Sequence, residues 1–136
     1  MLGAANNFGL AWIALCACLA LHVADEALTD FLSVYNPSVL AIRRRLPFLP
    51  LPTFTFSVWL SLLILAVAVL LVLSLFAFRG AAWMVPLSYV FSVIMFMNGM
   101  GHVVSSIYLR RWMPGVYSSP LLLAASAWLL TAARRH

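Results

Sequence analysis

Residues 54–78 read FTFSVWLSLLILAVAVLLVLSLFAF, and this stretch decides the fold. It carries no charge, and Ser57, Ser61 and Ser74 are its main interruptions. A helix needs about 20 predominantly apolar residues to cross the hydrocarbon core of a bilayer, and this run is long enough. Its uniform apolarity fits a scaffold helix facing lipid and neighbouring helices, not one that shows a polar face to water.

The rest of the chain agrees with that reading. Of its 136 residues, 65% are hydrophobic and 8% are charged, against about 25% charged in a soluble domain. A soluble helix bundle would need a polar outer face, and too few polar residues are left to build one. The expectation is an all-α protein, an integral membrane four-helix bundle forming one domain over 1–136. Its helices are expected at about 8–35, 54–78, 81–110 and 116–133.

Local signals set those boundaries. Asn6 and Asn7 can cap the first helix, and Asn36-Pro37 is read as its end. Arg43-Arg44-Arg45 with Pro47, Pro50 and Pro52 makes a semi-rigid loop with a short interfacial helix over 38–45. Arg79-Gly80 is a tight turn, and Pro86 is placed to kink the third helix. Gly99 and Gly101 permit close helix approach. The last helix starts at Val116, or at Pro120 as a first-turn proline.

The net charge of +5 comes from eight arginines, with no lysine. They cluster where the chain leaves the apolar runs, so they read as membrane-flank charge, and a nucleic-acid partner is not expected. Arg43–Arg45 and Arg110–Arg111 outnumber Arg79, Arg134 and Arg135 on the opposite side. The positive-inside rule then favours a cytoplasmic Arg43–Arg45 side with both termini outside. Met1 to Asn7 carries no positive charge, so the first helix is read as retained and not as a cleaved signal. Cys16 and Cys18, two apart on a helix, point away from each other and read as small apolar filler. Trp12, Trp59, Trp83, Trp112 and Trp128 read as interface or packing aromatics, and His136 as a free terminal residue.

Against this background one segment stands out. Asp25, Glu26 and Asp30 are the only acids in the chain, and His22 lies beside them. A rise of 1.5 Å per residue from Phe8 puts His22 about 21 Å and Glu26 about 27 Å along the first helix, near the far boundary. Counting forward along the third helix, which begins again on the starting side, Asn98 and His102 arrive at the same depth, about 26 to 32 Å from that side. Two helices thus present i, i+4 polar pairs, His22/Glu26 and Asn98/His102. Cys18, Thr29 and Ser33 extend the first stripe, Ser105 extends the second, and Asp25 and Asp30 flank Glu26.

Three readings remain open. His22, Glu26 and His102, with Asn98 or Asp25 beside them, offer two nitrogens and one or two oxygens, which suits zinc or non-haem iron with positions left for water or substrate. Alternatively, Glu26 with His22 and His102 performs metal-free acid–base catalysis while Asn98 holds a polar group of the substrate. In the third, the polar residues only bond helices together, and Asp30 pairs with an arginine of Arg43–Arg45. A di-iron bundle pattern lacks enough ligands here.

His22-x-x-Asp25-Glu26 resembles the motif of the HXXEE-domain family of small bacterial membrane proteins. The resemblance continues through Asn98-x-x-x-His102, Pro114-Gly115, and Ser118-Ser119 before an apolar last helix. One position departs: the first acid is Asp25, one methylene shorter than glutamate, so the motif's role carries to Glu26 and not to Asp25. The resemblance implies a four-helix bacterial membrane fold with a polar or metal site, and it supplies no substrate.

The expected function is a small membrane enzyme acting on a lipid or isoprenoid-like substrate. Glu26, His22, Asn98 and His102 are its candidate catalytic residues, and His22, Glu26 and His102 its metal ligands. Asp25, Thr29, Asp30 and Ser105 are supporting residues. Membrane lipid is the expected surrounding partner, and a homo-oligomer is compatible with the pattern. The alternatives are a carrier for a proton, metal or small solute, and an accessory subunit of a membrane complex.

Overall fold

In a computed structural model of the chain, residues 2–136 are described, apart from the side chains of Leu2 and Ala4. Met1, part of the uncharged start read above, lies outside them. The described residues form five helices and no strand: α1 Leu2–Leu28, α2 Leu32–Arg45, α3 Phe56–Phe78, α4 Met84–Leu109 and α5 Ser119–Arg134. Three stretches, Ala5–Leu28, Phe56–Phe78 and Met84–Leu109, are long and apolar enough to cross a membrane. At 1.5 Å per residue α5 is only about 24 Å long.

The helices pack in the order α3, α1, α5, α4. α1 lies against α3 on one side and α5 on the other, α4 lies against α5, and the α1 and α4 backbones come close at few points, so that these two meet chiefly through side chains. The first and third long helices were expected to form the site as neighbours. They are instead bridged along most of their length by α5.

The core follows from one stripe on α1. Phe8, Trp12, Leu15 and Leu19 recur at spacings of four and three, and all are buried. His22 and Glu26 are the next two members of that progression and are buried as well. Leu122 and Leu129 of α5 and Met84 and Phe91 of α4 complete the packed interior. Trp12 is a packing aromatic: its ring meets Phe91 at 5.2 Å and its indole N–H donates to the Leu70 carbonyl of α3 at 2.8 Å. Gly99 lies on the α4–α5 contact, where a Cβ would meet Leu123 and the Ser119 carbonyl at 3.3–3.4 Å. Gly101, expected to do the same, faces open space.

Several boundaries differ from the sequence reading. α1 begins before Asn6 and Asn7, so neither caps it. Asn7 instead accepts the Trp128 indole N–H at 3.3 Å. The first helix does not run on to residue 35. It breaks after Leu28, where Asp30 takes a left-handed conformation, φ 56°, which an aspartate tolerates better than most residues. The chain restarts as α2 and continues through Pro37. Pro37 falls early in this new helix, so the only bond it forfeits is to the first-turn carbonyl of Ser33. The interfacial helix expected over 38–45 is thus the second half of a longer one. α2 is fastened to the start of α3 by the Asn36 side chain, which donates to the Phe54 carbonyl at 2.8 Å and accepts the Phe54 N–H at 3.0 Å. The Tyr35 hydroxyl adds a bond to the Pro52 carbonyl at 3.1 Å.

Pro86 sits in the first turn of α4, where no N–H partner is needed. At the opposite end from the acids, His136 is not free: its ring packs on Phe8 at 4.8 Å. The chain's C-terminus, the start of α1 and the Gly80 turn therefore share one end of the molecule. The acids, α2 and the α4–α5 connection share the other.

Candidate functional site

The site forms where the buried stripe of α1 turns polar. Glu26 Oε1 lies 3.6 Å from His22 Nε2 one turn earlier, and 3.1 Å from His102 Nε2 on α4. The two imidazoles meet edge to face, with ring centroids 4.8 Å apart. His22 is fully buried, and Glu26 and His102 are more than nine-tenths buried. One donor atom from each of the three lies within 4.8 Å of the other two.

The turn between α4 and α5 closes the site. Gly115 has φ +82°, and a Cβ there would lie 3.0 Å from Glu26 Cγ, His102 Cε1 and His22 Cε1 alike. The backbone of this one residue therefore forms a wall against all three side chains, which only a glycine can do without displacing them. The turn is held by Ser119 Oγ, which donates to the Gly115 carbonyl at 2.8 Å. Ser106 Oγ donates to the His102 carbonyl at 2.8 Å and accepts the Met113 N–H at 3.1 Å, so α4 and the turn move together.

Ser118 ties the turn to α1. Its N–H and its hydroxyl both donate to Asp25 Oδ2, at 2.9 and 2.8 Å. Its oxygen is also 2.8 Å from His22 Nδ1. Ser118 precedes α5, yet its side chain caps no helical N–H, because it is turned toward Asp25 and His22.

The remaining expected residues fall outside this centre. Asn98 and Ser105 line a groove of about 310 Å³ that opens beside His102, between α4 and the start of α2, with Phe31, Tyr35 and Met113. Phe31 covers His102 with ring centroids 5.8 Å apart and stacks on Trp59 at 5.8 Å. Asn98 thus lines the approach to the cluster, in the groove that His102 also lines. Thr29 Oγ1 donates to the Asp25 carbonyl at 2.6 Å and stabilises the end of α1. Asp30 is exposed and shapes the break, accepting at its carbonyl from Ser33 Oγ at 2.8 Å. Among the described residues it makes no ion pair, so the expected pairing with Arg43–Arg45 is not formed. Cys18 is a partly buried packing residue.

Sequence reasoning gave Gly115 and Ser118 no role. Both lie in the Pro114-to-Ser119 stretch noted for its resemblance. A glycine followed by two hydroxyl residues just before an apolar helix is the signal that could have singled them out.

The donor set can be tested against a metal on geometry alone. Ligand bonds of about 2.0–2.1 Å in a tetrahedron imply ligand–ligand edges of about 3.3–3.4 Å; the N···O separations of 3.1 and 3.6 Å bracket that value, while the three donors together span up to 4.8 Å, so an ion would draw the two imidazoles closer. His22 Nε2 is buried without a hydrogen-bond partner, although buried polar atoms are nearly always partnered. Two imidazoles, one carboxylate and a cradle that a Cβ would fill are compatible with one small divalent ion.

A protein-family model described as "Protein of unknown function with HXXEE motif" matches residues 12–129. No curated protein and no solved structure matches the chain.

Proposed function

The chain belongs to the HXXEE family, and from that premise we propose that it is an integral membrane, metal-dependent enzyme acting on a lipid-like substrate. The observation that carries the metal reading is the unpartnered, fully buried Nε2 of His22 facing the Glu26 carboxylate. An imidazole nitrogen without a partner in an apolar interior is costly. A cation shared with Glu26 and His102 removes that cost.

In this reading His22 and His102 bind through nitrogen, and Glu26 binds through oxygen and offsets the ion's charge. The chemistry supplied is Lewis-acid polarisation of a substrate oxygen, with zinc or non-haem iron as the fitting ions. Gly115 excludes water from one face, so substrate approaches from the groove beside His102. Asn98 in that groove positions a polar group of the substrate through its amide. The groove's other walls, Phe31, Val34 and Met97, accept an apolar chain.

The membrane arrangement in this proposal is a four-helix one. α1, α3 and α4 span, and α5 together with the Pro114–Ser118 turns completes a fourth, shorter crossing in the middle of the packing order. The arginine imbalance orients the site toward the cytoplasmic face of a bacterial inner membrane.

The test is metal content by mass spectrometry of detergent-purified protein never exposed to chelator, wild type against His22→Ala and His102→Ala. About one ion per chain in wild type and strong loss in both variants is expected from the ligand number. Absence of stoichiometric metal in wild type would sink the metal reading.

A further inference from the structure

We infer that Ser118 and Asp25 are positioning residues that lock the tautomer of His22, so that its Nε2 lone pair is presented to the Glu26–His102 side. The inference rests on the metal reading only where ion affinity is concerned; the tautomer itself is a property of the metal-free protein.

Ser118 Oγ has one hydrogen and three neighbours: Asp25 Oδ2 at 2.8 Å, His22 Nδ1 at 2.8 Å and the Gly115 carbonyl at 3.3 Å. A carboxylate only accepts, and a charged acceptor holds the hydroxyl proton more strongly than a neutral carbonyl at longer range. The Ser118 N–H points to the same Asp25 oxygen at 2.9 Å and fixes it in place. With its proton given to Asp25, the Ser118 oxygen can only accept from His22. Nδ1 of His22 therefore carries the hydrogen. A neutral imidazole has one N–H, and Glu26 Oε1 at 3.6 Å from Nε2 is beyond hydrogen-bond reach and holds no proton there, so Nε2 is left with its lone pair.

The opposite tautomer would require Ser118 to donate to Nδ1. The Asp25 oxygen would then face the Ser118 oxygen at 2.8 Å with no hydrogen between them, a partly buried contact that repels. Outer partners that fix a ligating histidine's tautomer are a general feature of metal sites. Here the carboxylate acts through a serine hydroxyl, and the serine belongs to the turn that also closes the site. Asp25 was the departure from the motif. Its short side chain takes the Ser118 N–H and O–H together, and the ligating role stays with Glu26.

The experiment is nitrogen-15 NMR of histidine-labelled, metal-free protein in detergent. His22 is assigned by the signal lost in His22→Gln. The wild type is expected to show a protonated Nδ1 and an unprotonated Nε2. Ser118→Ala is expected to give a tautomer mixture, and Ser118→Thr, which keeps the hydroxyl, to restore the wild-type pattern. Asp25→Ala should shift the pattern as Ser118→Ala does. In zinc titrations the same two alanine variants should bind about 10- to 100-fold more weakly than wild type. A protonated Nε2 in wild type, or an unchanged tautomer in both alanine variants, overturns the inference. If the tautomer is as expected but wild type binds no zinc, the positioning role stands and the metal reading fails.

Discussion

Glu26 on α1 and His102 on α4 face each other at 3.1 Å, although the backbones of the two helices come close at few points and α5 packs against both. α5 separates the two helices, and the Gly115 turn leading into it closes over the point where their side chains meet. The cluster is therefore built at one end of a layered packing, not along a helix–helix seam. Its geometry depends on the turn as much as on the helices.

Gly115 gives the sharpest mutational consequence of that arrangement. Alanine there must adopt φ +82° and place its Cβ 3.0 Å from three site side chains at once. Left-handed strain at a non-glycine residue costs about 1–3 kcal/mol, and displacement of the imidazoles adds to it. Gly115→Ala is expected to lower the melting temperature in detergent and to reduce bound metal at equal protein concentration. Unchanged values on both measurements would mean that the turn does not close on the cluster.

Asn36 makes a different prediction, because it acts far from the donors. Its side chain clasps both backbone groups of Phe54, each bond contributing about 0.5–1.5 kcal/mol. Asn36→Ala is expected to raise hydrogen exchange and proteolysis in the 46–53 segment by several-fold while leaving metal content as in wild type. Protection in that segment equal to wild type would show that other contacts hold α2.

How far the sequence reveals this structure depends on which signal each element carries. The apolar run of α3 and the depth match of His22, Glu26 and His102 are legible because helical rise and period are fixed by backbone geometry. The break at Asp30 is not, because an aspartate in a left-handed conformation leaves no mark in composition. By sequence Pro37 reads as a terminator, since proline disfavours helix ahead of it. It is tolerated because the helix restarts only a turn earlier. The packing order was also hidden. Nothing in a periodic pattern says that α5 lies between α1 and α4, and it is this insertion that brings Ser118 and Gly115 to the site. Asn98 shares a stripe with His102 yet points into the groove, because a stripe at helical spacing is wide enough to serve both.

Orientation follows from charge alone and is checked separately. With the Arg43–Arg45 and Arg110–Arg111 side cytoplasmic, a reporter active only in the cytoplasm is expected to be silent when fused after His136. It should be active when inserted in the 46–53 segment. Activity at the C-terminus would reverse the topology while leaving the site geometry as it is.

X-ray absorption spectroscopy of the metal-loaded protein reads out whether the proposed pair of imidazoles and one carboxylate hold an ion. The predicted first shell contains nitrogen and oxygen at about 2.0–2.2 Å, with the outer scattering of two imidazole rings. His102→Ala should remove one ring's contribution. A shell dominated by sulfur at about 2.3 Å, pointing to Cys16 or Cys18, or a shell without imidazole scattering, would mean that His22, Glu26 and His102 do not bind the ion.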